Sequence, residues 1–403
     1  MSSRLKYAVV GASTCLTLLL LVGSLAGQGS VTQEDTLKHI GVFSDVVARI
    51  KTEYVEEPDM KSVTQGALNG MLEAVDPFAS YLNPEQYQDY LKNKSSNRAD
   101  VGLSLSKRFG YIGVVAAIPG SPAAKAGFAT GDMIETIKGI STRDMPLAYA
   151  NLLLQGEPGS TVDLSVVHVR SQQDPQKVTL TRTNVAIPAV ESSMLAGESG
   201  YINVDGLGPA QLKQVAQSVQ KLQSEGAKKL VLDLRGCAVG TPEDGIALAN
   251  LFLDKGLITY MKGQRVPQKN FDADPSKAVT KLPVAVLVDR GTAGGAEIAA
   301  AALQDDDRAK LVGEVTYGDA AMREAVKMDD GGAIILSVAK YYSPKGQAIQ
   351  DTRVTPATVV AQAEPDVEYD ANGDPLPQTT PLKPEQKTSS DSVVTKALEV
   401  LNK

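Results

Sequence analysis

Tryptophan is absent from this 403-residue chain, aromatic residues make up 5% of it, and histidine and cysteine occur twice each. So few aromatic rings leave no platform on which single-stranded nucleic acid could stack. Acidic residues (47) outnumber lysine and arginine (40), for a net charge of −7, and the basic residues, Lys228, Lys229 and Arg235 among them, are scattered. No basic stripe is available to neutralise phosphates, which excludes nucleic acid as a partner. His39 and His168 are far apart and neither has ligand-type neighbours, so neither a metal nor another cofactor is expected. Cys15 falls in an N-terminal apolar segment, which leaves Cys237 alone in the rest of the chain and allows no internal disulfide there. Cys237 follows a strand-like run and has only Arg235 as adjacent titratable help, so a buried, inert thiol is expected.

What is present is enough apolar sequence (43%) to build two or three domains. Residues 1–30 place Arg4 and Lys6 ahead of an uncharged run from Tyr7 to Gln28, the pattern of a secretory signal or a signal anchor. Ser24-Leu25-Ala26 supplies small residues at a point suited to cleavage. The remainder is therefore expected outside the cytoplasm, periplasmic or membrane-anchored, touching the membrane only through this segment. Residues 31–98 read as helical: "SVTQGALNGMLEAVD" puts Ala67, Leu68, Met71, Leu72 and Val75 on one face, and Asn83-Pro84 is a helix start.

Residues 99–186 form a β-rich block of short apolar runs between Gly, Pro, Asp and Ser turns, interrupted by one helix near 146–154. His168 lies in the alternating run "VDLSVVHVR", a half-exposed strand position. From 187 to 362 strands alternate with helices: "GYINVDGLG", a helix over 209–224, "KKLVLDLRG", a helix over 242–253, then "LPVAVLVDRG", "AKLVGE" and "GGAIILSVAKYYSP". Residues 363–403 open as a polar, Pro-rich extension and close with a short helix in "VVTKALEVLNK". The fold class is α/β.

One stretch has the form of an active site without reactive atoms. Strand 284–288 enters a turn of small residues, helix 296–303 follows, and strand 309–313 leads to a loop at Tyr317-Gly318. Strand, tight turn and helix N-terminus commonly hold a nucleophile and an oxyanion, yet the turn offers Gly294-Gly295.

Two resemblances organise these features. "GSPAAKAGFATGDMIETIKG" is similar to the centre of a PDZ domain, which puts Gly102, Leu103, Ser104 and Leu105 at the loop that receives a peptide's terminal carboxylate. Such a loop turns backbone N–H groups toward the carboxylate while the peptide adds as a strand. Leu103, Leu105 and one face of helix 146–154 would shape the side-chain pocket, or the two leucines serve the core instead. With "VDPFASYLNPEQY", "VLDLRG", "GTAGGAEIAAAALQDDDRAKLVGEVTYG" and "YYSPKGQAIQDTRVTP" in order, the chain resembles the carboxyl-terminal processing (tail-specific) protease family. That resemblance implies a crotonase-like protease core with an inserted PDZ domain and N-terminal helices, and cleavage near protein C-termini by a Ser/Lys dyad.

The dyad is missing. With Glu297 fixing the register, Gly294 stands at the serine position and Asp319 at the lysine position. Arg323 replaces a frequent glutamine, and Cys237-Ala238-Val239-Gly240 replaces the Asn-Pro-Gly-Gly turn that helps form the oxyanion hole. A serine needs a base to take its proton, and a lysine can serve only with a lowered pKa. Three functions follow from this pattern. The first is an exported pseudoprotease that captures protein C-terminal peptides as adaptor, decoy or partner of an active paralogue. The second is a peptidase using Thr292 or Asp319 as a replacement group, although Thr292 equally reads as a turn hydroxyl bonding backbone and Asp319 as a solvated loop charge. The third is a structural envelope protein. Helices at both ends of the chain make a homo-oligomer possible.

Overall fold

The computed structural model describes residues 33–94, 98–108, 110–169, 174–361 and 391–402. The expected export segment and the polar stretch of the C-terminal extension lie outside the described residues. Among the described residues no helix is long and apolar enough to cross a membrane. The chain divides after Gln65 into two units. In the first, the helix Gln33–Glu53 is braced by Arg49 pairing with Asp45 and Glu53 one turn away on either side. Its Ile40, Val42 and Val46 are exposed.

In the second unit, the end of the helix Met60–Val75 differs from the expected amphipathic pattern. Met71 and Val75 are exposed, 50% and 80%, whereas Asn69 is buried. Two polar anchors set that rotation. The Asn69 amide donates to the Asp144 carbonyl at 3.1 Å, and Glu73 pairs with the buried Lys107 at 2.8 Å. A buried lysine without its carboxylate would be costly, so the ion pair decides the helix face over apolar periodicity.

The β-rich block is a five-strand antiparallel sheet in the order Leu103–Arg108, Tyr111–Ala117, Met133–Ile137, Thr161–Val167, Gln176–Thr181, with Ile140–Ser141 added to Met133–Ile137. The helix Leu147–Leu154 buries Leu147, Ala150 and Leu154 in its core. Arg182 ties that helix down, donating to the carbonyls of Leu153, Leu154 and Thr161. His168 sits one residue past the strand Thr161–Val167 rather than inside it, and its Nδ1 lies 2.7 Å from the buried Asp132 carboxylate.

The α/β part is built on a sheet ordered Thr358–Val359, Ala309–Gly313, Val284–Val288, Lys229–Asp233, Ser199–Asn203, Glu191–Leu195. All neighbours are parallel except the last pair, and the central strands are buried on both faces, as continuous apolar runs require. The helices Pro209–Ser224, Pro242–Asn250 and Gly295–Asp305 contribute to the main core. Expected to run to Leu253, the second of these stops at Asn250 because Phe252 and Leu253 turn into the core. The Asn250 amide then bridges to the carbonyls of Leu253 and Asp274.

The other sheet face is covered by the terminal helix Ser392–Leu401, through Val393, Val394 and Ala397 packed with Val231, Ala285 and Leu287. Asp391 caps its N-terminus and also pairs with Arg235, which in turn holds the buried Asp233. A third sheet orders Ser80–Leu82, Ala333–Tyr342, Leu257–Lys262 and Lys269–Asp272, and Ala321–Lys327 pairs along Ala333–Tyr342.

Candidate functional site

The site begins where the buried strand Val284–Val288 ends. Asp289 turns its carboxylate inward and accepts from the N–H groups of Gly236 and Gly291, both at 2.9 Å, so the turns after two adjacent strands share one acceptor. Burial pushes this carboxyl above the ordinary aspartate range, against the pull of those donors. Thr292 is fully buried, donates to the Leu234 carbonyl at 2.8 Å and accepts from the Asp289 N–H at 3.0 Å. The hydroxyl also lies 3.2 Å from the Asp289 carboxylate, so backbone and side-chain oxygens together hold it within the turn.

The two glycines of the turn serve different needs. Gly294 has φ +63° and ψ −123°, a region strained for any residue with a Cβ. A Cβ built there would meet nothing closer than the Asp319 carbonyl at 3.6 Å and the Gly240 carbonyl at 4.0 Å. The turn ahead of the helix is thus strained at position 294 and free of steric obstruction there. Gly295 has no such room: a Cβ would lie 2.4 Å from the Thr241 carbonyl, where the helices Gly295–Asp305 and Pro242–Asn250 cross closely.

Glu297, in the first turn of the helix, is fully buried and is the hub of the site. One carboxylate oxygen accepts from the Thr316 hydroxyl and from Gly318 N–H at 2.7 Å; the other accepts from Gly294 N–H at 3.0 Å and Asp319 N–H at 2.7 Å. Desolvation pushes the carboxyl up to about 7, while the hydrogen bonds from Thr316, Asp319 and Gly318 pull the other way. Spacing alone carries the signal for this role, since an acidic residue three positions after a turn can reach back to the turn's N–H.

The structure brings Gly294 and Asp319 together and adds Arg323 to them. Asp319 is a half-buried loop charge held in an ion pair rather than a free one: Arg323 pairs with it at 2.5 Å, and the Arg323 guanidinium lies 4.1 Å above the Phe78 ring. The pair forms because the strand Ala321–Lys327 returns Arg323 toward the carboxylate four residues back. On the opposite turn, Val239 accepts from Leu207 N–H at 2.7 Å and lies against Gly206, while Cys237 accepts from Ala293 N–H at 3.0 Å. Cys237 is fully buried and its thiol is pushed well up by desolvation, as its position after a strand led us to expect.

The proposed carboxylate loop is only partly a loop. Gly102 has φ +83°, and a Cβ there would overlap the Ser121 side chain at 2.3 Å. Leu103, Ser104 and Leu105, however, already belong to the strand Leu103–Arg108, and Leu103 and Leu105 are core residues at 9% exposure each. Strand pairing with Tyr111–Ala117 turns both leucines into the domain interior, so neither lines an open pocket. The N–H groups of Val101 and Gly102 donate to the Asp100 carboxylate at 2.6 and 2.8 Å. Tyr317 and Phe78, which the sequence did not single out, both pack with this cluster and meet edge to face at 5.9 Å.

Comparison with known proteins agrees with this architecture. Residues 198–360 match the model of peptidase family S41 and residues 113–167 that of a PDZ domain. The carboxy-terminal processing protease CtpA of Bacillus subtilis is 31% identical over 350 residues, 85% of this chain and 73% of that protein. The carboxyl-terminal-processing protease of Synechocystis is 33% identical over 321 residues, 78% of this chain and 75% of that protein. The solved structure of a photosystem II D1 C-terminal processing protease superposes with a TM-score of 0.65 at 26% identity, covering 82% of this chain and 94% of that one. The chain belongs to peptidase family S41, the carboxyl-terminal processing proteases, and carries that family's α/β core together with a PDZ domain.

Proposed function

We propose that this protein binds extended protein C-termini through its PDZ domain without cleaving them, outside the cytoplasm, as an adaptor, decoy or partner of an active paralogue. Gly294 carries the reading: the strained turn at the head of the helix Gly295–Asp305 bears no nucleophilic atom. Nothing adjacent substitutes for it. Thr292 is fully buried, its hydroxyl held between the Leu234 carbonyl, the Asp289 N–H and the Asp289 carboxylate, and Glu297 accepts from four donors. Asp319 is held by an arginine, which cannot give up its proton to act as a base. Losing the nucleophile of a serine protease costs on the order of a million-fold in turnover.

The relatives' names favour a second reading, a working peptidase with a replacement group. An assay separates the two: purified protein against an unfolded substrate with an apolar C-terminus, beside Thr292→Ala and Asp319→Asn. We expect no cleavage above the contaminating-protease control. Wild-type cleavage abolished by either substitution would establish the peptidase. For the ligand, amidating the terminus of a bound peptide should remove most affinity, and equal binding of acid and amide would sink the carboxylate role. Export is tested by replacing Leu18, Leu19 and Leu20 with Asp, which should retain the protein in the cytoplasm.

A further inference from the structure

The exposed edge of the PDZ sheet is covered by the chain itself. Among the described residues the strand Leu103–Arg108 pairs only with Tyr111–Ala117, so its second edge carries no strand. A peptide adding as a strand would use this edge, beside the helix Leu147–Leu154. Lys107 on this strand is instead paired with Glu73, and its side chain is 3% exposed. Phe78, from the Asp76-Pro77-Phe78 turn that follows, is 5% exposed and shares one buried cluster with Leu103, Leu105, Leu147 and Ala150.

Phe78 is held from the other side by the degenerate site. Tyr317 meets its ring edge-on, the Arg323 guanidinium covers its face, and Asp319 holds Arg323. Asp76 fixes the turn, accepting from Phe78 N–H at 2.9 Å and from the Gln350 amide at 3.2 Å.

We propose that Phe78 is an internal ligand of the PDZ domain, and that Asp319 and Arg323, at the positions of the lost lysine and glutamine, are the latch that keeps it seated. This rests on the reading that the PDZ domain binds C-termini. An apolar terminal side chain of a guest peptide needs the space the Phe78 ring fills, so guest and Phe78 compete. The latch is also built to open. Arg323 and Asp319 are 25% and 31% exposed, which lets water screen their attraction. Arg323 Nε and Asp76 Oδ2 are buried without a hydrogen-bond partner among the described residues, a penalty that opening relieves.

Apparent affinity for a guest falls in proportion to the open fraction, so removing the guanidinium from the Phe78 face should tighten binding by about tenfold. The experiment measures anisotropy of a fluorescein-labelled peptide, with an apolar last residue and a free carboxylate, against wild type, Arg323→Ala, Asp319→Asn and Phe78→Ala. Hydrogen exchange at residues 76–82 and 103–108 is followed in the same proteins without peptide. Tighter binding with faster exchange in Arg323→Ala and Asp319→Asn, at an unchanged urea midpoint, supports the latch. Equal affinity and equal exchange in all four proteins overturns it while leaving C-terminus binding intact. Faster exchange with no peptide bound by any variant keeps the latch and removes the C-terminus reading. Phe78→Ala deletes core volume, so if it unfolds the two surface-accessible variants decide the matter.

Discussion

Placing a side chain at position 294 tests both the strain and the openness of the empty seat. Gly294 sits at φ +63°, ψ −123°, and holding an L-residue there costs about 1–3 kcal/mol. Restricting the unfolded chain by replacing glycine offsets about 0.4–1 kcal/mol of that. The new Cβ overlaps nothing, with the Asp319 and Gly240 carbonyls at 3.6 and 4.0 Å, so no steric term is added. Gly294→Ala should therefore destabilise by a net ~1–2 kcal/mol. Gly294→Ser should recover about 0.5–1 kcal/mol of this, because its hydroxyl comes within reach of the Asp319 carbonyl. That same bond points the hydroxyl at an acceptor that is no general base, so Gly294→Ser alone should add no peptidase activity to that of the wild type. Since the chain has no tryptophan, far-UV circular dichroism is the suitable probe for urea unfolding. A neutral Gly294→Ala would refute the strained geometry. A loss beyond ~4 kcal/mol would refute the open seat, being more than backbone strain supplies.

Three further outcomes are expected. Glu297 has its carboxyl raised to about 7 by burial, above its unfolded value, so the folded state holds a proton that the unfolded state has released. Its contribution is then complete below the unfolded pKa and is lost as pH rises through about 7, up to roughly 3 kcal/mol; urea midpoints between pH 4 and 8 should show this slope in wild type and a flatter one in Glu297→Gln, and parallel slopes would contradict it. Arg235→Ala leaves the buried Asp233 with Tyr201 as its remaining side-chain partner and should cost about 3–5 kcal/mol, whereas Asp391→Ala, which removes a helix cap and one arm of the pair, should cost about 1–2 kcal/mol and mainly raise proteolysis near residues 391–402; the reverse order would be wrong for this network. Cys237, buried with a raised thiol pKa, should resist iodoacetamide in the native protein and react only in urea, and rapid native labelling would contradict its burial.

How much was legible in the sequence depended on whether a feature is local. The strands 284–288 and 309–313 are apolar runs bounded by turn residues, and both appear with those limits. The helix Pro209–Ser224 was visible from Pro209 at its start and one apolar face. Gly294 could be placed because Glu297 lies three residues on, and a backbone turn followed by a helix is encoded within a few residues.

What partners a side chain finds across the fold was not legible. Met71 and Val75 obeyed a helical period and are nevertheless exposed, because Glu73 follows the buried Lys107 thirty-four positions away in sequence. Leu103 and Leu105 read equally well as pocket or core, and only pairing with Tyr111–Ala117 decided for the core. Asp319 looked like a free loop charge until the strand Ala321–Lys327 carried Arg323 back to it and the fold set Phe78 beneath the guanidinium. Local sequence determined the elements and the glycine turn at the head of the helix Gly295–Asp305, because propensity, turn chemistry and residue identity act over short range. Tertiary structure alone decided which charges are paired and which apolar groups are covered, because burial and ion pairing depend on neighbours far away along the chain.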